Sequence, residues 1–274
     1  MTSQSEMKVA LCNRGFKEID QLFQFACDNN FQGVEYTIEA ESYTDFDRTY
    51  DRLLKLKESE LEIRYHLPFK NIELGLRDKN AAEKSLDYLQ YVLDALENIG
   101  GRHIITHLGL GYSDKDHYLS YTNAVRYLKK LKEYADTKNI VVVLENLRFG
   151  LAGAPEPHKY ILAETGCSAC LDIGHASNSR IVLSSQISCE EYIEEMGSVV
   201  IQAHIYDQEK IDKKTGKYKH FCPQSEEDIR SRVMALRKYT NCKWYLIELI
   251  VPEEILETKK MIDHILQSDV DLVF

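Results

Sequence analysis

The chain has 274 residues, of which 44% are hydrophobic and 28% are charged, and its formal net charge is −10. This composition is typical of a globular protein with a sizeable core, and the acidic balance argues against broad nucleic-acid binding, which needs a basic surface. No apolar run reaches the roughly 20 residues of a membrane span, and the N-terminus lacks the layout of a signal peptide, so we expect a cytoplasmic protein without a membrane partner.

Eight short apolar runs follow one another along the chain. Each is rich in Val, Ile, Leu or Tyr and is bounded by polar residues or Gly, which predicts strands that are buried on both faces. The predicted strands are 7–12, 32–39, 61–67, 101–109, 139–146, 168–174, 198–207 and 243–250.

Amphipathic stretches with helical spacing separate these runs. The second of them stops at Gly100, a residue suited to the end of a helix. The fourth opens with a Ser-x-x-Asp capping pattern at Ser225 and Asp228. Helices are predicted over 16–30, 80–100, 118–139, 225–240 and 252–267, with shorter ones near 46–58, 156–165 and 189–196.

Eight strands that alternate with helices over about 250 residues have the size and rhythm of a (β/α)8 TIM barrel. The rival is an open doubly wound sheet, which usually carries a glycine-rich phosphate loop after its first strand. The corresponding stretch here, ALCNRGFKEID, has one Gly. We therefore predict an α/β protein with one TIM-barrel domain over residues 1–274.

The seven cysteines are scattered and odd in number, which favours reduced thiols over a disulfide framework. Cys167 and Cys170 form one C-x-x-C pair without a second pair to complete a zinc site. Because Cys170 falls in a predicted buried strand, we expect both thiols to be small buried side chains.

An ionisable residue lies at the C-terminal end of seven successive predicted strands. In a TIM barrel these ends meet on one face, where catalytic residues gather. A single such acid is explained as a helix cap, but seven carboxylates and imidazoles need partners, and a divalent cation satisfies them together. The residues are Glu35, His66, His107, Glu145, Asp172, His204 and Glu248. Mixed carboxylate and imidazole ligands suit Zn, Mn, Fe or Co, whereas an all-oxygen set suits Mg or Ca.

These residues resemble those of the xylose-isomerase-like TIM barrels, a superfamily that includes sugar and sugar-phosphate isomerases and epimerases as well as endonuclease IV. The resemblance covers essentially the whole chain. Its most specific stretches are LEN at 144–146, CLDIGHA at 170–176, AHIYD at 203–207 and IEL at 247–249.

The resemblance to the epimerases implies one divalent metal with four protein ligands. These ligands are Glu145, Asp172, His204 and Glu248. It further implies that Glu145 and Glu248 form the acid/base pair on opposite faces of the substrate carbon, and that His175 contacts the substrate.

Endonuclease IV resembles the chain in further respects. Its additional histidine ligands match His66 and His107. Its third metal site matches His175 and His220, but Tyr218 stands where that site has an Asp. A group of TIM-barrel oxygenases that modify peptides has a similar ligand layout, so the ligands alone do not fix the reaction.

The expected function is metal-dependent isomerisation or epimerisation of a small carbohydrate, with or without an anionic group, through an enediolate. The alternative is phosphodiester hydrolysis of the endonuclease IV type, which the acidic balance and Tyr218 disfavour; a third reading is a non-enzymatic barrel that merely retains the ligands. Predicted substrate contacts are His66, His107, His175, Arg148, Lys219 and His220. Arg148, Arg180 and lysines 210, 213, 214, 217 and 219 are either anion contacts or solvated surface charges.

Overall fold

The computed structural model describes residues 7–110, 118–213, 216 and 218–268. In chain order the strands are β1 (Lys8–Cys12), β2 (Gly33–Thr37), β3 (Glu62–His66), β4 (His103–Thr106), β5 (Val141–Glu145), β6 (Ser168–Asp172), β7 (Val200–Ile205), β8 (Gln208–Ile211), β9 (Tyr218–Phe221) and β10 (Trp244–Ile247). All except β8 and β9 form a closed parallel barrel in the spatial order β1, β10, β7, β6, β5, β4, β3, β2. The predicted TIM barrel is confirmed.

Helices follow the barrel strands and cover the outside of the barrel. They are α1 (Ile19–Asp28), α2 (Tyr43–Leu56), α3 (Lys79–Asn98), α4 (Tyr121–Asp136), α5 (Pro155–Thr165), α6 (Ile173–Ser177), α7 (Arg180–Leu183), α8 (Cys189–Met196), α9 (Glu227–Tyr239) and α10 (Pro252–Ser268). Every predicted helix is present. The short helices α6 and α7 were not predicted, because four or five residues are too few to show a helical period.

The start of α9 differs from the predicted capping pattern. Asp228 accepts hydrogen bonds from the backbone N–H groups of Gln224 and Ser225, so the acid half of a capping box forms. The helix begins one residue later than that pattern requires, after Glu226, which provides no side-chain cap. Asp228 thus satisfies two N–H groups that precede the helix, while its own N–H group bonds to the backbone carbonyl of Ser225 and not to the Ser225 hydroxyl.

Glu35 occupies a different depth in the barrel from the one predicted. Strand β2 continues two residues beyond it, so Thr37 lies at the strand end in register with His66, and Glu35 pairs with Arg64 one layer deeper. Side chains two residues apart on a strand point to the same side. Glu35 therefore points into the barrel interior beneath the rim.

The segment after β7 forms an antiparallel hairpin from β8 and β9, in which Glu209 pairs with His220. The predicted Lys-rich loop lies largely within this hairpin, and lysines 214 and 217 lie outside the described residues. Arg232 of α9 anchors the hairpin by donating to the backbone carbonyl of Asp207 and pairing with its carboxylate. The hairpin thus forms one wall of the barrel mouth.

Two further expectations concern exposure and membranes. All seven cysteines lie within the described residues and are free thiols, and Cys167 and Cys170 are both buried as expected. Across the described ranges, the helices fall short of the length and apolar character that crossing a bilayer requires.

Candidate metal centre

Four predicted ligands meet at the C-terminal rim of the barrel, and we call them the inner cluster: Glu145, Asp172, His204 and Glu248. Glu145 and Asp172 end β5 and β6, His204 lies in β7, and Glu248 directly follows β10. The Nδ1 atom of His204 lies 3.4 Å from Oε1 of Glu145 and 3.2 Å from Oε2 of Glu248. Zinc bonds of about 2.0–2.2 Å place tetrahedral ligand atoms about 3.3–3.6 Å apart, so this spacing is close to that of ligands around one divalent ion.

Three atoms of the inner cluster lack hydrogen-bond partners among the described residues. Nδ1 of His204 and Oε2 of Glu248 lie 3.2 Å apart within the cluster, whereas Oε2 of Glu145 points away from it, and all three atoms are buried. Buried polar atoms of this kind are costly unless a ligand or ion satisfies them. The residues present therefore fit the divalent metal that the sequence predicts.

Asp172 is held rigidly by its neighbours. Its Oδ1 atom caps α6 by accepting the N–H of His175 at 2.6 Å, and its Oδ2 atom accepts the hydroxyl of Tyr206 at 3.0 Å. The amide of Asn146 brackets its backbone, donating to the carbonyl and accepting from the N–H. Gly174 makes this packing feasible, because a Cβ at that position would overlap the Tyr206 ring.

A pair of histidines flanks the inner cluster on the side of β3 and β4. The Nε2 atoms of His66 and His107 lie 3.3 Å apart, and they lie 3.5 Å and 3.1 Å from Oε2 of Glu145. Glu145 therefore directs Oε1 toward the inner cluster and Oε2 toward this histidine pair. A carboxylate in that position can bridge two cations or accept hydrogen bonds from both imidazoles.

A second group, the outer cluster, consists of His175, Glu209 and His220. Nε2 of His175 lies 3.5 Å from Oε2 of Glu209, and the pairing of β8 with β9 sets Glu209 opposite His220. Glu209 is not among the residues that the sequence pattern predicts. It supplies a carboxylate near the position where Tyr218 replaces the expected Asp, but from the neighbouring strand, so only the register of the hairpin reveals it.

Three of these histidines have their protonation pattern set by backbone carbonyls. The Nδ1 atoms of His66, His175 and His220 lie 2.9–3.0 Å from the carbonyls of Leu67, Asn146 and Glu248, respectively. A carbonyl only accepts, so each Nδ1 carries the proton and each Nε2 keeps its lone pair. Histidines held in this way are suited to bind a metal or to accept a substrate hydroxyl through Nε2.

The carboxylates of the inner cluster differ in the direction of their pKa shifts. Burial opposes ionisation of both Glu145 and Glu248, but the His204 ring beside Glu145 and the His220 and His204 rings beside Glu248 hold both pKa values well below the usual range. Burial raises the pKa of Asp172 to about 6, since His175 offsets only part of the desolvation. The protein alone therefore places too little positive charge beside Asp172 to offset its burial, and a cation bound at the inner cluster would lower the pKa of this carboxyl.

A cavity of about 260 Å³ opens above the inner cluster. It is reached by the predicted contacts His66, His107, His175, Lys219 and His220 and walled by Cys12, Phe69, Leu110, Tyr218, Leu249 and Ile250. This volume with a largely polar floor and an apolar wall suits a small polyhydroxylated molecule.

The cationic side chains are distributed unevenly around this cavity. Arg14 borders it, with Nη1 3.4 Å from Oε1 of Glu248. Arg148 lies outside its lining, because its guanidinium pairs with Glu209 at 2.6 Å and stacks on the Tyr218 ring at 3.7 Å. Arg180 borders a separate recess beside Arg148.

Comparisons with known proteins agree with this architecture. The family described as xylose isomerase-like TIM barrel matches residues 23–265. An uncharacterized protein of Methanocaldococcus jannaschii, MJ0008, is 26% identical over 209 residues, which make up 75% of this chain and 80% of the relative. A D-tagatose 3-epimerase-like protein superposes with a TM-score of 0.72 at 17% identity, over 98% of this chain and 100% of its own. The IolI protein, solved with a zinc atom, superposes with a TM-score of 0.67 at 14% identity, over 97% and 98% of the two chains, and at such identities the likeness shows the fold.

Proposed function

The chain belongs to the xylose isomerase-like TIM barrel family, and on that basis we propose that it is a divalent-metal-dependent isomerase or epimerase. Its substrate is a sugar, polyol or sugar phosphate small enough for the cavity above the inner cluster. The observation that carries the proposal is the inner cluster itself, where four ligands converge and where Nδ1 of His204 and Oε2 of Glu248 have no hydrogen-bond partner among the described residues. The D-tagatose 3-epimerase-like protein and the L-ribulose 3-epimerase that share the fold support the choice of reaction.

Glu145, Asp172, His204 and Glu248 would hold the ion. When bound there, a divalent metal supplies Lewis acidity toward neighbouring hydroxyl and carbonyl oxygens of the substrate. Zn, Mn, Co and Fe all suit this mixed set of ligands.

Glu145 and Glu248 exchange the proton in this proposal. The nearby imidazoles lower both pKa values, so each residue is a carboxylate at neutral pH and is ready to accept a proton from carbon. One carboxylate removes the proton from carbon as the substrate becomes an enediolate. In an isomerisation the carboxylic acid so formed returns that proton to the neighbouring carbon. In an epimerisation the other glutamate delivers a proton that it takes from solvent to the opposite face, and the first glutamate releases its own proton to solvent. Arg14, 3.4 Å from Oε1 of Glu248, favours the charged form of that carboxylate before the reaction.

The surrounding side chains orient the substrate. His66 and His107 present Nε2 atoms at the cavity floor, where they can meet substrate hydroxyls. Phe69, Leu110 and Ile250 line one side of the cavity with apolar side chains. An apolar lining protects an enediolate by limiting the access of bulk water, which would protonate it without stereochemical control.

Metal content together with an activity screen tests the proposal. We expect about one tightly held ion per chain, since one chelating ion suffices for this chemistry, and turnover of at least one compound in a panel of ketoses, inososes and sugar phosphates. A metal-loaded protein that turns over none of the panel, and holds two or three ions while cleaving DNA at abasic sites, would overturn the proposal.

That outcome describes the second candidate, metal-dependent phosphodiester hydrolysis. The observation in its favour is that Glu145 faces the inner cluster and the histidine pair at once, while the outer cluster supplies three more ligands nearby. The net charge of −10 opposes it, because a nucleic-acid substrate requires phosphate contacts from cations. Two arginines near the site, Arg14 and Arg148, are already paired with carboxylates of the protein.

A further inference from the structure

Polar side chains pass through the interior of the barrel beneath the inner cluster. The interior of a TIM barrel is usually filled by layers of branched apolar residues. Here the interior apolar residues form two small clusters, one around Trp244 and Leu246 and the other around Ile105 and Val143. A connected row of polar residues, which we call the interior polar row, occupies the same interior: Glu35, Gln202, Arg64 and Glu62.

The upper part of the interior polar row ends on a proposed metal ligand. Oε1 of Glu35 lies 3.1 Å from Nε2 of His204. Gln202 donates from Nε2 to Oε2 of Glu35 at 2.5 Å, and it accepts from Nη1 of Arg64 at 2.8 Å. Glu35, Gln202 and His204 are at most 1% exposed, and Arg64 is 8% exposed.

The lower part of the row reaches the opposite end of the barrel. Arg64 stacks over the Trp244 ring at 4.1 Å and donates from Nε to Glu62 at 3.0 Å. Glu62 also pairs with Lys8 at 2.6 Å, where the two side chains are 28% and 40% exposed. The buried charge of Glu35 is thus balanced by Arg64 through one amide, and the row emerges at the surface.

A buried polar row of this kind is weak evidence for a role in stability. Removing a carboxylate and a guanidinium from water costs several kcal/mol for each ion, and well-packed apolar residues of similar volume are often equally or more stable. The four members nevertheless satisfy one another and terminate on His204. Their arrangement therefore has a consequence for that imidazole.

We propose that Glu35 is a positioning residue that keeps a proton on Nε2 of His204 and thereby turns the Nδ1 lone pair toward the metal. A carboxylate accepts only, so the ring nitrogen that faces it carries the proton. Nδ1 is the atom that lies 3.2–3.4 Å from Glu145 and Glu248 and has no hydrogen-bond partner among the described residues. The inference rests on the proposed function only in assuming that the inner cluster binds a divalent metal.

His204 differs in this respect from the other histidines of the site. His66, His175 and His220 each face a backbone carbonyl, which is neutral. His204 faces a carboxylate, which makes the imidazole a stronger electron donor to a metal. Gln202 orients that carboxylate by donating to its Oε2 atom, and Arg64 orients Gln202 by donating to the amide oxygen.

The experiment compares zinc binding and the histidine ring signals of wild type and Glu35→Gln, a change that preserves side-chain volume. In zinc-loaded wild type, 15N spectra are expected to show His204 coordinated through Nδ1, with a slowly exchanging proton on Nε2. In Glu35→Gln we expect that proton to exchange faster and zinc affinity, measured by chelator competition, to fall about 10- to 100-fold.

Glu73→Gln is the matched control. Glu73 is also a buried carboxylate, 5% exposed, but it accepts hydrogen bonds from the backbone of Gly75 and Gly109 and has no contact with His204. This variant should leave the ring signal of His204 and the zinc affinity unchanged. If Glu35→Gln does not fold, Glu35→Asp, which retains the charge but withdraws it by one methylene, is put through the same two measurements.

Zinc bound to wild type through Nε2, or a zinc affinity in the Glu35 variant within threefold of wild type, would overturn the inference and leave the proposed function standing. A wild-type protein that binds no divalent metal would overturn both. Loss of affinity with an unchanged Nε2 proton signal would show a charge effect at a distance, and that too would overturn the positioning role.

Discussion

The inner and outer clusters use similar side chains but are supported differently. The inner cluster extends from three consecutive barrel strands and the residue after β10, and its His204 and Asp172 are fully buried. The outer cluster combines α6 with the hairpin of β8 and β9, and its Glu209 and His220 side chains are 12% and 18% exposed. In the inner cluster Nδ1 of His204 and Oε2 of Glu248 have no hydrogen-bond partner among the described residues, whereas in the outer cluster Oε2 of Glu209 lies 2.6 Å from the Arg148 guanidinium.

This difference separates a preorganised ligand set from one that must first release an ion pair. Parallel strands fix the positions of their terminal side chains through the barrel hydrogen bonds, so the inner cluster needs little rearrangement to bind an ion. A cation at the outer cluster competes with the Arg148 guanidinium for the same carboxylate. We therefore expect the two clusters to differ strongly in metal affinity and in their effect on turnover.

The largest effect should come from removing an acid/base group of the inner cluster. Glu145→Gln and Glu248→Gln should each reduce kcat by about 10²–10⁴-fold, because an amide cannot accept the proton from carbon. Steady-state kinetics on the substrate found in the screen measures this. Full activity in either variant would remove the two-glutamate scheme.

Chelation tests whether the inner cluster holds an ion in the working protein. Removing the metal should abolish turnover and lower Tm by about 5–10 °C, given a ligand present at about 100 times its Kd and a domain of this size. Differential scanning calorimetry before and after dialysis against a chelator measures the shift, and adding back Zn or Mn should restore it. An unchanged Tm together with unchanged turnover would argue against any tightly held ion.

Glu209→Gln makes the same chemical change in the outer cluster and so provides the direct contrast. We expect the variant to keep about one ion per chain and to lose less than tenfold in kcat, because it leaves every inner ligand in place. Metal content by elemental analysis is the deciding measurement. If this substitution removes an ion from the protein, the outer cluster is a genuine metal site and phosphodiester hydrolysis gains support.

The smallest effect is expected from Arg148→Met. The residue contacts Glu209 and Tyr218 and not the cavity floor, and contacts of this type are each worth roughly 1 kcal/mol. We expect KM to rise about fivefold while kcat stays the same, since the hairpin wall would be held less firmly. A much larger rise in KM for phosphorylated than for neutral sugars would instead indicate that Arg148 binds the anion directly.

The strands and the inner cluster could be predicted because their signals are local. A short apolar run identifies each barrel strand, and a polar residue at its end identifies a side chain on the rim, as at Glu145 and Asp172. The predicted position of Glu35 at the strand end was wrong, because an apolar run does not show exactly where its strand ends. An error of two residues moves a side chain by one layer of the barrel. Patterns of this kind specify which face a residue occupies better than how deep it lies.

Glu209 could not be predicted for a different reason. Its position depends on how two short strands pair across a loop, and the pairing register is fixed by contacts between segments and not by either segment alone. The contact between Arg148 and Glu209 also depends on this pairing. The sequence alone therefore predicted Arg148 as an anion contact or a solvated surface charge, without its carboxylate partner. Features that depend on a neighbouring segment became visible only in the folded chain.

The packing of Gly174 against Tyr206 limits how this protein can diverge. Tyr206 holds Asp172 through its hydroxyl and lies parallel to the His220 ring at 3.9 Å, so one aromatic side chain connects the inner and outer clusters. Any residue larger than Gly at position 174 would displace that ring and disturb both clusters at once. We therefore expect substitutions in the hairpin, including those of its charged residues, to be tolerated and to alter substrate preference, whereas position 174 accepts only Gly.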